Sequence, residues 1–275
     1  MDMQTKDADT VVEAQNIRIN EVSKAYPTPQ NEQMVVLEDI NLEIRHNEFV
    51  CLVGASGCGK TTLLKILGGL VEPTLGNVQI GTGVEKEPLM GFVFQADSLI
   101  PWRTVQRNVG LGLELQGVPR DKENRRVSDV LEMVKLSGFG RHFPRELSGG
   151  MRQRVNIARA LAMQPDFLLM DEPFAALDAQ TREVMQSELL ALTQRLNSTV
   201  VFVTHQIDEA VLLADRIVVL SSRPGRVKKI VTPPFARPRD PGIRRSKEFI
   251  DMVNGIWSLI RDEVEEGIER ELLGS

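Results

Sequence analysis

A glycine-rich segment near the start of the chain has the residue types and spacing of a loop that binds phosphate. Residues 54–61 have the sequence GASGCGKT, which fits GxxxxGK[ST] and lies between an apolar run and a helical pattern. Glycine tolerates positive φ, so successive N–H groups can point at phosphate oxygens. Lys60 would neutralise β- and γ-phosphate charge, and the Thr61 hydroxyl can ligate Mg²⁺. This phosphate loop predicts nucleotide binding, although kinases, GTPases and transport ATPases share it.

Two adjacent carboxylates end a second apolar run. The sequence FLLM at 167–170 predicts a buried strand, and Asp171 and Glu172 follow it directly. Neighbouring residues on a strand point to opposite faces, so the two acids cannot share one task. We expect Asp171 in the ligand shell of Mg²⁺. We expect Glu172 to face the γ-phosphate and polarise the attacking water.

The elements that would position these residues alternate between strands and helices. Continuous apolar runs at 49–53, 167–170, 200–203 and 217–220 are typical of strands that are covered on both faces in a parallel sheet. Helical patterns separate them, as at 63–70, so we predict a doubly wound α/β core. Short segments near the start alternate apolar with polar residues and predict an antiparallel β layer.

Composition argues against several kinds of protein. The net charge of −5 offers no general attraction to nucleic acid, and no stretch approaches the apolar length that spans a bilayer. The acidic start at 1–10 lacks a signal-peptide pattern, so we expect the chain to stay in the cytosol by itself. Cys51 and Cys58 are interpreted as buried small residues, not as a disulfide or a metal site.

The segment at 147–154 adds a motif that is specific to one family. It has the sequence LSGGMRQR and resembles the signature of ABC ATPases, although Met151 departs from the glutamine that is common there. Physically it is a second anion-binding turn, in which a serine hydroxyl and glycine amides open a helix that runs to about residue 163. In this family the signature of one subunit closes on the nucleotide of the other. The resemblance therefore implies a head-to-tail dimer that encloses two ATP molecules.

Four further positions match functional residues of the family. Gln95 resembles the glutamine that links Mg²⁺ and water to the helical insertion, and His205 resembles the switch histidine on the γ-phosphate. Asp178 resembles the aspartate that crosses the dimer interface, and Tyr26 resembles the aromatic residue that stacks on adenine. Each has a structural alternative. Gln95 and His205 can be ordinary polar residues after strands, Asp178 a helix cap and Tyr26 a surface-packing residue.

The expected site combines both motifs with these four positions, and its expected cofactors are ATP and Mg²⁺. Its catalytic residues are Lys60, Gln95, Glu172 and His205, and its Mg²⁺ ligands are Thr61, Gln95 and Asp171. The residues expected to contact ATP are Tyr26, Gly54, Ala55, Ser56, Gly57, Cys58, Gly59, Lys60, Thr61, Thr62, Ser148, Gly149, Gly150 and Asp178.

The resemblance implies an α/β fold of the P-loop NTPase (RecA-like) type, with an antiparallel β layer and an inserted helical subdomain. Strand patterns are absent from the insertion, and the composition shifts to Pro and Arg after Leu220. The last segment has one apolar helix face, which either packs on its own domain or serves regulation or dimerisation. Its residues are Phe249, Val253, Ile256, Trp257, Ile260, Val264 and Ile268. The predicted division is a tail at 1–14, an ABC ATPase domain at 15–225 with the insertion at about 98–162, a Pro/Arg-rich linker at 226–245 and an amphipathic helix at 246–275.

Short segments narrow the resemblance to the ATPases of nitrate, sulfonate and taurine importers. They are SLIPWR at 98–103, MRQR at 151–154 and SRPGR at 222–226. The resemblance implies a peripheral protein on the cytoplasmic side of the inner membrane. Its partners would be a second ATPase subunit, transmembrane permease subunits and, through them, a solute-binding protein, with no nucleic acid. An apolar cluster after Gln95, made of Leu99, Ile100 and Trp102, would either dock a permease helix or pack inside the insertion.

Three other functions fit the sequence less well than an importer ATPase does. A non-transport ABC ATPase acting on nucleic acid or the ribosome tends to carry two cassettes or a long coiled coil, and these 275 residues contain neither pattern. A small-molecule kinase has no use for the signature at 147–150. A regulatory cassette that binds ATP without turnover is disfavoured by the presence of Glu172 and His205. The leading prediction is the ATP-hydrolysing subunit of an ABC importer.

Overall fold

The protein is described by a computed structural model over residues 16–29, 31–81, 88–96, 98–193, 198–237 and 239–273. Its strands are β1 (Ile17–Pro27), β2 (Gln33–Ile44), β3 (Phe49–Val53), β4 (Leu75–Ile80), β5 (Met90–Val93), β6 (Phe167–Asp171), β7 (Thr199–Val203), β8 (Arg216–Leu220) and β9 (Val227–Val231). Its helices are α1 (Lys60–Leu67), α2 (Val105–Val109), α3 (Leu111–Leu115), α4 (Arg120–Met133), α5 (Gly149–Ala162), α6 (Ala179–Thr193), α7 (Ile207–Leu213) and α8 (Lys247–Leu273).

The larger sheet forms the core and has the strand order β5-β6-β7-β3-β8-β9. Strands β5 to β8 run parallel, and β9 pairs antiparallel with β8 at the edge. Every residue of β3, β6 and β7 is buried, because both faces of these strands are covered. The carboxyl ends of these three strands lie side by side. The phosphate loop, the acid pair and His205 therefore meet at one edge of the sheet.

A smaller antiparallel sheet with the order β2-β1-β4 packs on one face of this core. Ile17 and Ile19 of β1 are buried, and Arg18 between them is exposed, as expected for a strand with one covered face. The buried side chains join those of α1 and of Val50 and Leu52 on β3 in one apolar cluster. The predicted α/β fold with an antiparallel β layer is confirmed.

Helices α2 to α5 occupy the stretch in which the sequence has no strand pattern. Helix α5 packs against α2, α4 and strand β5. Asn108 on α2 is fully buried, and its side chain bonds the backbone of Ile100, Arg103 and Thr104. A buried amide group without partners would cost about 1–3 kcal/mol, so these bonds hold the loop at 100–104 in one conformation.

The segment 226–245 does not form the predicted linker, because much of it is built into the domain. Strand β9 lies within it and extends the larger sheet. Beyond this strand, Arg237 donates from Nε to Asp215 Oδ1 at 2.7 Å, and the guanidinium of Arg239 is buried under helix α7. The Pro and Arg content predicted an exposed segment because both residue types are rare in cores. The tertiary bonds of the two guanidinium groups explain why it is held against the domain.

Arg239 should contribute strongly to stability, because it caps the carboxyl end of α7 from inside the domain. The residue is 6% exposed, and Nη1 donates to the carbonyls of Leu212 at 3.0 Å and Ala214 at 2.6 Å. We expect Arg239→Ala to lower the free energy of unfolding by about 2–4 kcal/mol, since it leaves these carbonyls unpaired and opens a cavity. Urea unfolding measures the loss, with Arg245→Ala at an exposed position as the control. A loss below about 1 kcal/mol would contradict this role.

Helix α8 lies against the core through one face. Phe249, Ile256 and Ile260 are buried in the main hydrophobic cluster. Trp257, predicted for the same face, is half exposed, because adjacent helical residues are turned by about 100° and Ile256 takes the inward position. None of the helices in the described ranges has the length and apolar character that crossing a bilayer requires.

Candidate nucleotide site

The phosphate loop joins β3 to helix α1, and its glycines serve both conformation and packing. Gly59 caps the helix at a φ of 99°, and a Cβ there would come within 2.6 Å of Leu37 Cδ2. The other loop residues run from Gly54 to Cys58, with Cys58 buried, and Thr62 lies in the first turn of α1. That turn has no acidic side chain and no side-chain cap from Gly59, so its N–H groups suit an anion.

Lys60 is folded back over the phosphate loop. Its Nζ donates to the carbonyls of Gly54 and Ala55, both at 2.9 Å, and the side chain is buried. Nζ also donates to Cys58 Sγ at 3.8 Å, and burial raises the pKa of that thiol although the neighbouring ammonium opposes the shift. The ammonium is therefore already held over the loop, within reach of a bound phosphate.

Thr61 and Asp171 form the part of the site that fits a divalent cation. Thr61 Oγ1 donates to Asp171 Oδ1 at 2.9 Å, which joins the phosphate loop to the end of β6. Burial raises the pKa of Asp171, and the hydrogen bond from Thr61 opposes that shift. A buried carboxylate is stabilised in its charged form by a cation, and hydroxyl and carboxylate oxygens are ligands that Mg²⁺ prefers. Gln95, the third predicted ligand, bonds Glu172 instead of this pair.

Glu172 is the point at which the predicted catalytic residues converge. Its Oε2 accepts a hydrogen bond from Gln95 Nε2 at 3.0 Å and lies 3.3 Å from His205 Nδ1. The backbone of Glu172 has a φ of 43°, which is uncommon for a residue with a side chain. Such a conformation costs on the order of 1–3 kcal/mol and persists where the surroundings impose it, often at functional sites. The family resemblance assigns these residues to one site, and in the structure they are in contact.

Glu209 is a residue of this region that sequence analysis missed. It is 3% exposed, lies on α7 behind His205, and accepts a hydrogen bond from Gln186 Nε2 at 2.7 Å. Burial raises its pKa, and hydrogen bonds from Thr204 and Gln186 oppose that shift. Through Thr204 this carboxyl supports the turn that carries His205. The sequence offers little signal for it, because Glu209 follows Asp208 in the first turn of α7, where acidic residues are common.

The signature lies at the start of α5, apart from the phosphate loop within the chain. Ser148 caps the helix, with Oγ accepting from the N–H of Met151 at 3.3 Å. A Cβ on Gly149 would meet nothing nearer than Arg152 Nη2 at 4.0 Å, so this turn is open to a ligand. Gly150 is close-packed, because a Cβ there would come within 2.7 Å of a Thr181 methyl group. The main described contacts of α5 are with α2 to α4, α6 and β5, and no comparable contact joins it to α1.

Within a single chain, Asp178 is a helix cap and Tyr26 packs on the surface, which are the structural alternatives to their expected functional roles. Asp178 accepts from the N–H of Thr181 at 3.0 Å and caps α6, and this bond lowers the pKa of its carboxyl. Tyr26 lies near the end of β1 opposite Met34, with Lys24 Nζ 5.0 Å from the ring centre. Their roles at a dimer interface and at adenine remain predictions.

Sequence comparisons agree with this geometry. A family model described as ABC transporter matches residues 37–175. The chain is 47% identical over 224 residues to the taurine import ATP-binding protein TauB of Burkholderia thailandensis, covering 79% of this chain and 84% of that protein. It is 44% identical over 248 residues to the nitrate import ATP-binding protein NrtD of Synechocystis, covering 86% of this chain and 92% of that protein.

One solved structure of an ATP-binding cassette has a similar fold. It is the dimeric structure of a post-hydrolysis state of an ATP-binding cassette bound to ADP and Pi. The TM-score is 0.70 with 35% sequence identity, over 80% of this chain and 100% of that chain. That relative is therefore a dimer and holds the products of ATP hydrolysis.

Proposed function

This chain belongs to the ABC transporter family, and from that premise we propose that it powers import of a small solute of the taurine, sulfonate or nitrate kind through a separate permease. It is an ATPase of the importer type. The names of the relatives support the solute class, since taurine and nitrate both carry a compact, negatively charged oxygen-rich group. We further propose that the chain is peripheral on the cytoplasmic side of the inner membrane.

The main support for ATP hydrolysis is that Gln95 and His205 both contact one oxygen of Glu172. The phosphate loop and Lys60 would hold the β- and γ-phosphates of ATP. Glu172 would then accept the proton of the water that attacks the γ-phosphate, while its two neighbours keep the carboxylate in place. Mg²⁺, bound by Thr61 and Asp171, would offset the negative charge of the phosphates.

The dimer completes the site in this proposal. Within one chain the signature turn is open but lies away from the phosphate loop. A phosphate bound by that loop would therefore not reach the amides of the turn. A second copy arranged head to tail would bring its signature over the phosphate loop of the first. ATP would then be enclosed by both chains, and its hydrolysis would release them. Opening and closing of this dimer would drive the permease.

Trp102 is the residue we propose for docking the permease. The indole is 78% exposed, while Leu99 of the same cluster is 9% exposed and packs inside the insertion. The predicted docking cluster therefore does not act as one unit. Leu99 packs inside the insertion, whereas Trp102 is available to a partner. The loop around Trp102 is held by Asn108, so the indole is presented without much loss of conformational freedom on binding. Its position shortly after Gln95 would link docking to the catalytic residues.

Recovery of a permease with the tagged chain from its native membranes tests both the function and the docking residue. We expect the native chain to retain a polytopic membrane protein, and Trp102→Ala to reduce its recovery by about tenfold or more, since buried tryptophans often dominate interfaces. The ATPase rate of the isolated variant should be unchanged. Leu75→Ala, which removes another exposed apolar side chain from the β layer, is the control.

Two results would contradict the proposal. If Trp102→Ala recovered as much permease as the native chain does, this residue would not belong to the docking surface. Recovery of ribosomes or DNA in place of a permease, with ATP-dependent dimerisation intact, would reject the transport role and favour the non-transport alternative.

A further inference from the structure

The segment after β8 lies directly on the phosphate loop. We call residues 221–226 the strap. The N–H of Gly225 donates to Val36 O at 2.9 Å and its carbonyl accepts from the N–H of Glu38 at 3.0 Å, which ties the strap to β2. A Cβ on Gly225 would come within 2.1 Å of the carbonyl oxygen of Cys58. Backbone therefore touches backbone here, and the strap forms the outer wall of the phosphate loop.

Arg223 of the strap holds one peptide group of the phosphate loop. Its Nε and Nη2 donate to the carbonyl of Gly57 at 3.3 and 3.2 Å, and Nη1 lies 3.1 Å from Met34 Sδ. The C=O and N–H groups of a trans peptide point in opposite directions, so an outward Gly57 carbonyl turns the N–H of Cys58 inward. That N–H donates to Ala55 O at 3.3 Å, which closes the turn of the phosphate loop. By holding the Gly57 peptide, Arg223 therefore holds the turn whose backbone would surround a phosphate.

Helix α8 fastens the strap through one carboxylate. Glu263 Oε2 accepts from the N–H of Ser222 at 2.8 Å, and Oε1 accepts from Lys228 Nζ at 2.7 Å. Lys228 Nζ also donates to Leu259 O at 2.9 Å, so α8 is held at two points. Although burial opposes the charge, the bonds from Lys228 and Ser222 lower the pKa of Glu263 to about 2, which keeps the carboxylate ionised.

We propose that Arg223 is a positioning residue for ATP and that Glu263 couples the docking of α8 to the affinity of the phosphate loop. The chain of contacts runs from Glu263 through Ser222 to its neighbour Arg223 and on to Gly57. Loosening α8 would release the strap, let the Gly57 peptide rotate and weaken phosphate binding. By linkage, bound ATP would in turn stabilise the strap and the end of α8. This inference rests on the proposed nucleotide site and adds a means of regulating it.

Nucleotide affinity of strap variants is the direct test. We expect Arg223→Ala to weaken binding of ATP and ADP by about tenfold, the usual size of a lost charged hydrogen bond, with turnover at saturating ATP within about twofold. Arg223→Lys should recover part of the affinity, and Glu263→Gln should weaken it by a smaller factor. Arg226→Ala is the matched control, because Arg226 belongs to the same strap but pairs with the exposed Glu38.

Hydrogen exchange separates positioning from general stability. The N–H of Ser222, which Glu263 holds, should exchange more slowly when ATP is added, and this protection should disappear in Arg223→Ala at saturating ATP. Unchanged nucleotide affinity in a folded Arg223→Ala, or equal losses in Arg223→Ala and Arg226→Ala, would overturn the inference. Failure of the native chain to bind ATP would instead refute the proposed function, so the two failures are distinguishable.

Discussion

Glu172→Gln is expected to lower ATP turnover by about a thousandfold while leaving ATP binding intact, because a positioned general base typically supplies a factor of 10²–10⁴. Glutamine keeps the length of the side chain and can still bond Gln95, but it cannot take a proton. Its backbone keeps the same positive φ, so the free energy of unfolding should not change. Steady-state hydrolysis gives the rate, and light scattering with ATP should show dimers that persist because the nucleotide is not cleaved.

A matched control separates this effect from a general loss of negative charge. Glu132→Gln neutralises an exposed carboxylate on α4 and should leave turnover and dimerisation at native values. Turnover within about threefold of the native rate in Glu172→Gln would remove this residue as the base. The proton acceptor would then have to be sought at His205, whose imidazole contacts Glu172.

The parts of the fold that the sequence predicts are those in which one local pattern decides the structure. Strands β3, β6 and β7 are continuous apolar runs because both faces are covered, so periodicity alone identifies them. The phosphate loop is predicted because its backbone conformation demands glycine at fixed positions, as at Gly59. The acid pair follows from its place after a buried strand.

The parts that the sequence did not predict depend on contacts between distant residues. Strand β9 was assigned to a linker because the pairing with β8 is not visible in the Pro- and Arg-rich composition around it. Leu99 and Trp102 are both apolar and close in sequence, yet the framework around Asn108 exposes only the indole. Glu209 is satisfied by Gln186 on another helix, a pairing that local patterns cannot reveal.

The strap contains a motif that the family resemblance picked out but to which it assigned no function. SRPGR at 222–226 marked a branch of the family, but its spacing alone says nothing about what it touches. The structure explains the glycine through its approach to Cys58 and the first arginine through its bonds to Gly57. Motifs that only classify a chain can therefore acquire a physical explanation once their neighbours are known.

The composite site makes a prediction about mixed dimers, since each nucleotide would need the phosphate loop of one copy and the signature of the other. Lys60→Ala removes the ammonium held over the loop, and Ser148→Arg blocks the open turn at the start of α5. Each homodimer should be inactive, because both of its sites lack one half. A dimer containing one copy of each variant has one site with both halves intact and one with neither. It should recover about half of the native rate if the two sites of this symmetric dimer act independently.

Tandem purification through two different tags isolates the mixed dimers, and hydrolysis is then measured against both homodimers. Ser148→Arg should still bind ATP, since its phosphate loop is complete, and Ser148→Thr, which can keep the cap on α5, should remain active. If Ser148→Arg hydrolysed ATP at the native rate as a homodimer, the signature would not belong to the site. Absence of recovery in verified mixed dimers would contradict independent composite sites. Recovery, in contrast, cannot come from a site confined to one chain, because neither variant chain carries both halves.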